Sequence, residues 1–261
     1  MDFPSLWVVA AGWLIGFMVG MTGVGAGSLT TPMLISGFGL SPPVAVGTDL
    51  LFASITKATA AWRHQKLANI DWSILRWLAT GSLPGATALL AWRYFADPHT
   101  EALGQVIRKA LAYALFASAA ATVLYPWLAR HDVLASLDLR QTRYRKIATV
   151  VLGAALGLLV ALTSVGAGAI GVVVLTILYP ALLARRLIGT DIVHAIPLTF
   201  LAGLGHFGMG LIDFGALGFL LLGSIPGIAL GSRVTGLIPD WLLRVALALV
   251  LVYAAVLLLN Q

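Results

Sequence analysis

The chain has 261 residues, of which 60% are hydrophobic and 10% charged, a formal net charge of +6, a pI near 10.0 and no cysteine. Such a composition excludes an ordinary soluble domain, and the absence of cysteine excludes disulfides, thiolate metal sites and cysteine nucleophiles. Apolar runs of transmembrane length follow one another along the chain, so the basic balance reports membrane topology before it reports any affinity for nucleic acid.

The first run covers residues 5–22 and the only charged residue before it is Asp2, so it lacks the basic region of a cleaved signal peptide and is expected to be a retained helix. Residues 28–40, 43–65, 72–95 and 101–128 supply four further segments, and the longest polar stretch, 130–146, lies in a loop over 129–146 expected to be basic and cytoplasmic. Beyond it lie 147–163, 167–184, 187–205, 214–234 and 241–260. The expected organisation is a first repeat over 1–128, the loop over 129–146, and a second repeat over 147–261.

Residues 28–40 pose a question, because a helix of that length covers only about 20 Å of a roughly 30 Å hydrocarbon core. Charge arbitrates between crossing and dipping. If all ten segments cross, twelve of the sixteen Lys and Arg lie inside and three (Arg93, Arg108, Lys109) outside, with Lys57 in the membrane. If the two short segments only dip, the split becomes eight against seven. The positive-inside rule favours ten crossings, with both termini periplasmic.

The chain is also written twice. Thr22-Gly23-Val24-Gly25-Ala26-Gly27 recurs as Thr163-Ser164-Val165-Gly166-Ala167-Gly168. With an offset of 142 residues, Gly47-Thr48-Asp49 falls on Gly189-Thr190-Asp191, His64 on His206, Ile70-Asp71 on Ile212-Asp213, and Gly81–Gly85 on Gly223–Gly227. Equivalent loops carry opposite charge bias: Arg63, Lys66 and Arg76 have no basic counterpart around 206–213, and Arg185 and Arg186 have none near Ser41. Five segments per repeat and reversed charge both predict an all-α polytopic fold of two inverted repeats, each with a Gly-rich break.

A Gly-rich break closing the first helix (Gly20, Gly23, Gly25, Gly27), Pro32 soon after, Gly47-Thr48 opening the next long helix and a weaker second copy together resemble the TauE/SafE family of sulfite and organosulfonate exporters, also called the 4-toluene sulfonate uptake permease family. The resemblance covers nearly the whole chain and implies secondary transport of small sulfur-containing anions, outward across the inner membrane. Ala26 and Ala167 stand where many members have glycine, and Asp49 and Asp191 where serine is frequent.

Broken membrane helices must satisfy their freed amides where protein or a wet cavity covers them. Helices restarting at about Ser28 and Ala169 point amides and positive dipole ends at such a cavity, a setting for an oxyanion. The candidate substrate-binding residues are Thr22, Gly23, Gly25, Gly27, Ser28, Lys57, Thr163, Ser164, Gly166, Gly168 and Thr199, with Thr30 a further donor; close helix packing through Gly16 and Gly20 is the competing reading of the glycines. Lys57 lies mid-helix, where charge costs about 2.5–3.5 kcal/mol, and either attracts the anion or pairs with a buried carboxylate such as Asp191. Asp49, Asp191 and His194 are candidate coupling residues for protons; capping of their own helix starts by the two aspartates is the alternative.

His64 and His206, at helix ends, are expected at the interface, as are most of the eight tryptophans. Arg140, Arg143, Arg145 and Lys146 form a juxtamembrane cluster that meets anionic lipid, and Pro84 and Pro226 are candidate hinges. An intramembrane hydrolase using Asp49 and Asp191 is the less favoured rival, since neither a Gly-x-Gly-Asp nor a Gly-x-Ser-x-Gly context is present. A passive anion channel is the other. No enzyme activity, metal, cofactor or nucleic-acid partner is expected; the expected partners are a small anion and membrane lipid, and a homo-oligomer is left open.

Overall fold

The structure is a computed structural model that describes residues 5–22, 27–66, 70–95, 100–130, 142–234 and 239–260. Among these residues there are ten helices and no strand: α1 (Ser5–Thr22), α2 (Gly27–Ser36), α3 (Pro42–Lys66), α4 (Trp72–Phe95), α5 (Glu101–Arg130), α6 (Thr142–Thr163), α7 (Ala169–Leu178), α8 (Ala184–Gly208), α9 (Phe214–Val234) and α10 (Asp240–Leu259). The helices follow the apolar runs because a backbone without water must bond within its own segment.

The two short helices stop sooner than the runs suggested. After Ser36 the amides of Gly37 and Phe38 both turn back to the Met33 carbonyl, at 2.8 and 3.2 Å, and Gly39 takes a φ of 67°. This close belongs to glycine, which enters the left-handed region without a Cβ penalty. Helix α7 ends at Leu178, two residues before Pro180, because proline can neither donate an amide nor follow a helical residue easily. Conversely, α6 already begins at Thr142, so the end of the expected basic loop is helical.

Five helices among the described residues are long and apolar enough to cross a membrane: 101–128, 143–163, 184–208, 214–234 and 241–259. Large apolar side chains face outward all round, among them Leu6, Phe95, Leu222 and Leu249, while Thr48, Asp49, Thr190 and Asp191 are buried. That inversion of ordinary globular burial is what a lipid solvent imposes. Trp7, Trp72, Trp92, Trp127 and Trp241 are exposed near helix ends, as interfacial anchors should be.

Helices α1 and α9 run parallel in backbone contact. A Cβ at Gly12, Gly16 or Gly20 would collide with the main chain of Leu220, Ser224 or Ile228, and one at Gly223, Gly227 or Gly231 with that of Val9, Trp13 or Phe17. Helices α4 and α6 repeat the arrangement, with Gly81 and Gly85 against Val150 and Ala154, and Gly153 and Gly157 against Leu78 and Ser82. Packing is therefore the role of Gly16 and Gly20, by the small-residue contact that lets membrane helices approach. Pro84 and Pro226 each lie inside an unbroken helix beside these contacts.

Two polar clasps tie the halves together. The Asp71 amide donates to Thr190 Oγ1 at 2.8 Å, and the Asp213 amide donates to Thr48 Oγ1 at 2.9 Å. Each aspartate also caps the following helix: Asp71 Oδ1 accepts from Ser73 and Ile74, and Asp213 Oδ1 from Ala216. Arg186 adds an ion pair to Asp71 at 3.4 Å, so the start of α8 and the α3–α4 connection stand at the same end of the bundle.

The repeat register slips once. Contacts of α1 and α6 correspond at an offset of 141 residues, whereas α2 and α7, from Gly27 and Ala169 onward, correspond at 142; the extra residue falls in the Gly-rich stretch.

Candidate functional site

Gly27, at the start of α2, meets the second Gly-rich stretch between α3 and α8. Gly27, which opens α2, lies so close to the Ser164 carbonyl that no Cβ fits there, and such a Cβ would stand 3.1 Å from Asp49 Oδ2 and 3.2 Å from Ser164 Oγ. Gly23 and Gly25 lie outside the described residues, as does the side chain of Thr22. In the second stretch the chain leaves the helix after Thr163 and turns through Ser164 (φ 60°), Gly166 (φ 122°) and Gly168 (φ 129°) before α7 starts. At Gly166 and Gly168 only glycine takes these angles without strain.

Asp49 and Asp191 do not cap their own helices. Each sits seven residues in, about 10 Å from the helix start, and the N-cap of α8 is Leu183. Their carboxylates reach across to the short helices instead. Thr31 on α2 donates to Asp49 Oδ2 at 2.6 Å. Asp191 Oδ1 abuts Gly171 on α7, and the Gly168 amide bonds to the same carboxylate. The amide-rich starts of α2 and α7 thus each face a buried carboxylate of the protein itself, the charge that a helix N-terminus attracts.

Lys57 is buried beside them. Its Nζ lies 3.4 Å from the Ala167 carbonyl in the second turn, and it feels both Asp191 and Asp49, Asp191 the more strongly. Among the described residues it forms no ion pair within 4.0 Å; the described salt bridge joins Arg186 and Asp71. Its equivalent Thr199 is turned into its own helix, bonding the Ala195 carbonyl at 2.8 Å. Thr163 likewise donates to Leu159 and accepts from the Val165 amide, so its hydroxyl shapes the turn. Ser28 is buried at the start of α2, next to Gly27.

His194 is buried, but its Nε2 meets Ser82 Oγ on α4 at 2.7 Å rather than Asp191. Asp49 Oδ1, Asp191 Oδ1, Ser164 Oγ and His194 Nδ1 are buried without a hydrogen-bond partner among the described residues. Four such atoms around one junction are unusual, because a buried polar group left unpaired costs about 1–3 kcal/mol.

His206 departs from its expected interfacial place. Although it lies in the last turn of α8, it is fully buried, with Nε2 at 2.6 Å from Arg93 Nη1 and Nδ1 at 2.9 Å from the Ala202 carbonyl. Arg93 is itself fully buried, and its Nε and Nη2 find no partner among the described residues. Sequence reasoning missed Thr31, Ser82 and the burial of Arg93. Thr31 was legible in principle, being one turn after Gly27 on the face that meets α3; the other two depend on which helices pack together.

Two known relatives match nearly the whole chain. The chain is 32% identical over 231 residues, 88% of its length and 90% of the relative's, to the "Probable membrane transporter protein YjnA" of Bacillus subtilis (strain 168). It is 25% identical over 252 residues, 97% of its length and 99% of the relative's, to the "Probable membrane transporter protein YdhB" of the same organism. No solved structure matches it. The model of the family described as sulfite exporter TauE/SafE matches residues 8–258, and this multi-pass membrane protein belongs to that family.

Proposed function

We propose that the protein is a secondary transporter of a small oxyanion, sulfite or an organosulfonate, built from two inverted five-helix repeats in the inner membrane. Support for inversion comes from contacts that recur with the halves exchanged: Asp71 on Thr190 and Asp213 on Thr48, α1 along α9 and α6 along α4. In this reading each short helix belongs to one of the ten crossings. The Arg186–Asp71 contact puts Arg186 at the end that carries Arg76, as the positive-inside count for ten crossings requires.

One observation carries the mechanism: buried carboxylates occupy the helix starts where an anion would bind. An oxyanion approaching the amides of α2 or α7 is repelled while Asp49 or Asp191 is charged. Neutralising the carboxylate with a proton leaves the helix-start amides, the Ser164 hydroxyl and the Lys57 ammonium to hold the anion. Proton and anion then bind as a pair, and the carrier runs whichever way their combined gradients point. Outflow of a sulfur oxyanion is the direction named in the family's description.

Purified protein in proteoliposomes tests this. Sulfite uptake should saturate, show counterflow and respond to an imposed pH gradient. Flux that neither saturates nor responds to pH would mark a passive channel instead.

A further inference from the structure

We infer that a second anion subsite, formed by Arg244 and the hydroxyl of Tyr125, lies between the α8 start and the junction, and that it receives the oxyanion before Asp191 yields its place. This rests on the transport reading above. A cavity of about 70 Å³ separates α5, α7, α8 and α10, lined by Thr122, Tyr125, Gly168, Ala169, Asp191 and Arg244 among others. About 10–15 Å³ on this measure holds one water, so the space takes several waters or one small oxyanion.

Position gives the cavity its direction. Tyr125 is five residues from the end of α5, Arg244 four from the start of α10 and Asp191 seven from the start of α8. The lining therefore descends some 6–10 Å from one end of the bundle to the Gly168 turn. That end also bears Arg143, Lys146 and Arg186, a surface that concentrates anions.

The chemistry suits an anion and is otherwise unused. Tyr125 is 8% exposed, and its hydroxyl is buried without a partner among the described residues. A phenol so placed is a donor waiting for an acceptor. Arg244 holds its guanidinium 5.0 Å above the Tyr125 ring, and among the described residues it forms no ion pair. Simple snorkelling would carry this head group outward to the lipid interface. Stacked over Tyr125, it is instead presented to the cavity, with its fork of donors free to take two oxygens of one anion. Asp191 and the Gly168 amide close the inner end, so the subsite sits one step from the proposed exchange.

Arg244→Gln, Arg244→Lys and Tyr125→Phe test it, with sulfite, sulfate and chloride as probes. In lipid-free detergent, sulfite should bind the parent, and Arg244→Gln should weaken it about tenfold or more, equivalent to about 1.4 kcal/mol. Arg244→Lys should lose less. Tyr125→Phe should lose affinity without loss of thermal stability. In oriented proteoliposomes, Arg244→Gln should raise KM from the side of the 131–141 segment and leave KM from the other side unchanged. If the parent transports sulfite and these variants match it, the subsite is wrong and the transport reading stands. If anionic lipid, and not sulfite, separates parent from Arg244→Gln, the cavity holds a lipid phosphate and the subsite is wrong again. A parent that binds none of the probes overturns both.

Discussion

Gly227→Ala should destabilise the protein, while Gly218→Ala on the same helix should not. At Gly227 a new Cβ would fall on the Trp13 carbonyl, with the Phe17 nitrogen at 2.9 Å and the Trp13 carbonyl carbon at 3.1 Å. These are main-chain atoms, so no side chain can swing away; α1 and α9 must separate by several tenths of an ångström along a shared row of glycines. Overpacking of this kind costs about 1–3 kcal/mol. At Gly218 nothing lies within 4 Å, and alanine there gains helix propensity of about 1 kcal/mol. The two variants differ by one methyl group at sites nine residues apart, so their opposite signs isolate packing from composition. By soluble-protein scaling, Tm in detergent should fall by about 2–12 °C for Gly227→Ala and hold or rise for Gly218→Ala. Equal shifts for the two would show that α1 and α9 do not pack through glycine, and the parallel arrangement built on it would fall with them.

Asp191→Asn should keep the fold and counterflow but lose pH-driven accumulation, since the amide preserves shape without titrating; accumulation equal to the parent's in both this variant and Asp49→Asn would dismiss proton coupling through either residue. Lys57→Met keeps most of the apolar stem and should weaken sulfite binding about tenfold with stability unchanged or improved; unchanged affinity with a large loss of stability would make Lys57 a structural partner. Thr190→Val and Thr48→Val each leave an aspartate amide without its bond, and calorimetry or thermal shift should find a loss of about 1–3 kcal/mol in each, so a neutral pair would remove the clasps from the account. An impermeant thiol reagent on intact cells should label Asp2→Cys and spare Ser136→Cys; the reverse pattern would invert the topology.

Much of this protein is readable from its sequence because a membrane leaves the backbone few choices. Apolar runs must be helical, and the bounds of α1, α4 and α9 follow directly from where polar, glycine or proline residues interrupt them. The duplication, the glycine-rich turn before α7 and the buried aspartates were likewise legible, since an ionisable residue in such a run announces itself by its cost. Pairing is another matter. Whether a glycine faces lipid or a neighbour's carbonyl depends on which helix lies beside it, and Gly218 and Gly223 read alike until α1 is in place. The same holds for charge: near a helix start, Asp49 and Asp191 look like caps of α3 and α8, and only the fold turns them toward α2 and α7. His206 sits in a last turn that suggests the interface, yet Arg93, 113 residues away, draws it inward. Sequence fixes what each segment must bury, because that is a local balance between chain and solvent; tertiary structure decides against what, because partners distant along the chain become neighbours only once the helices have packed.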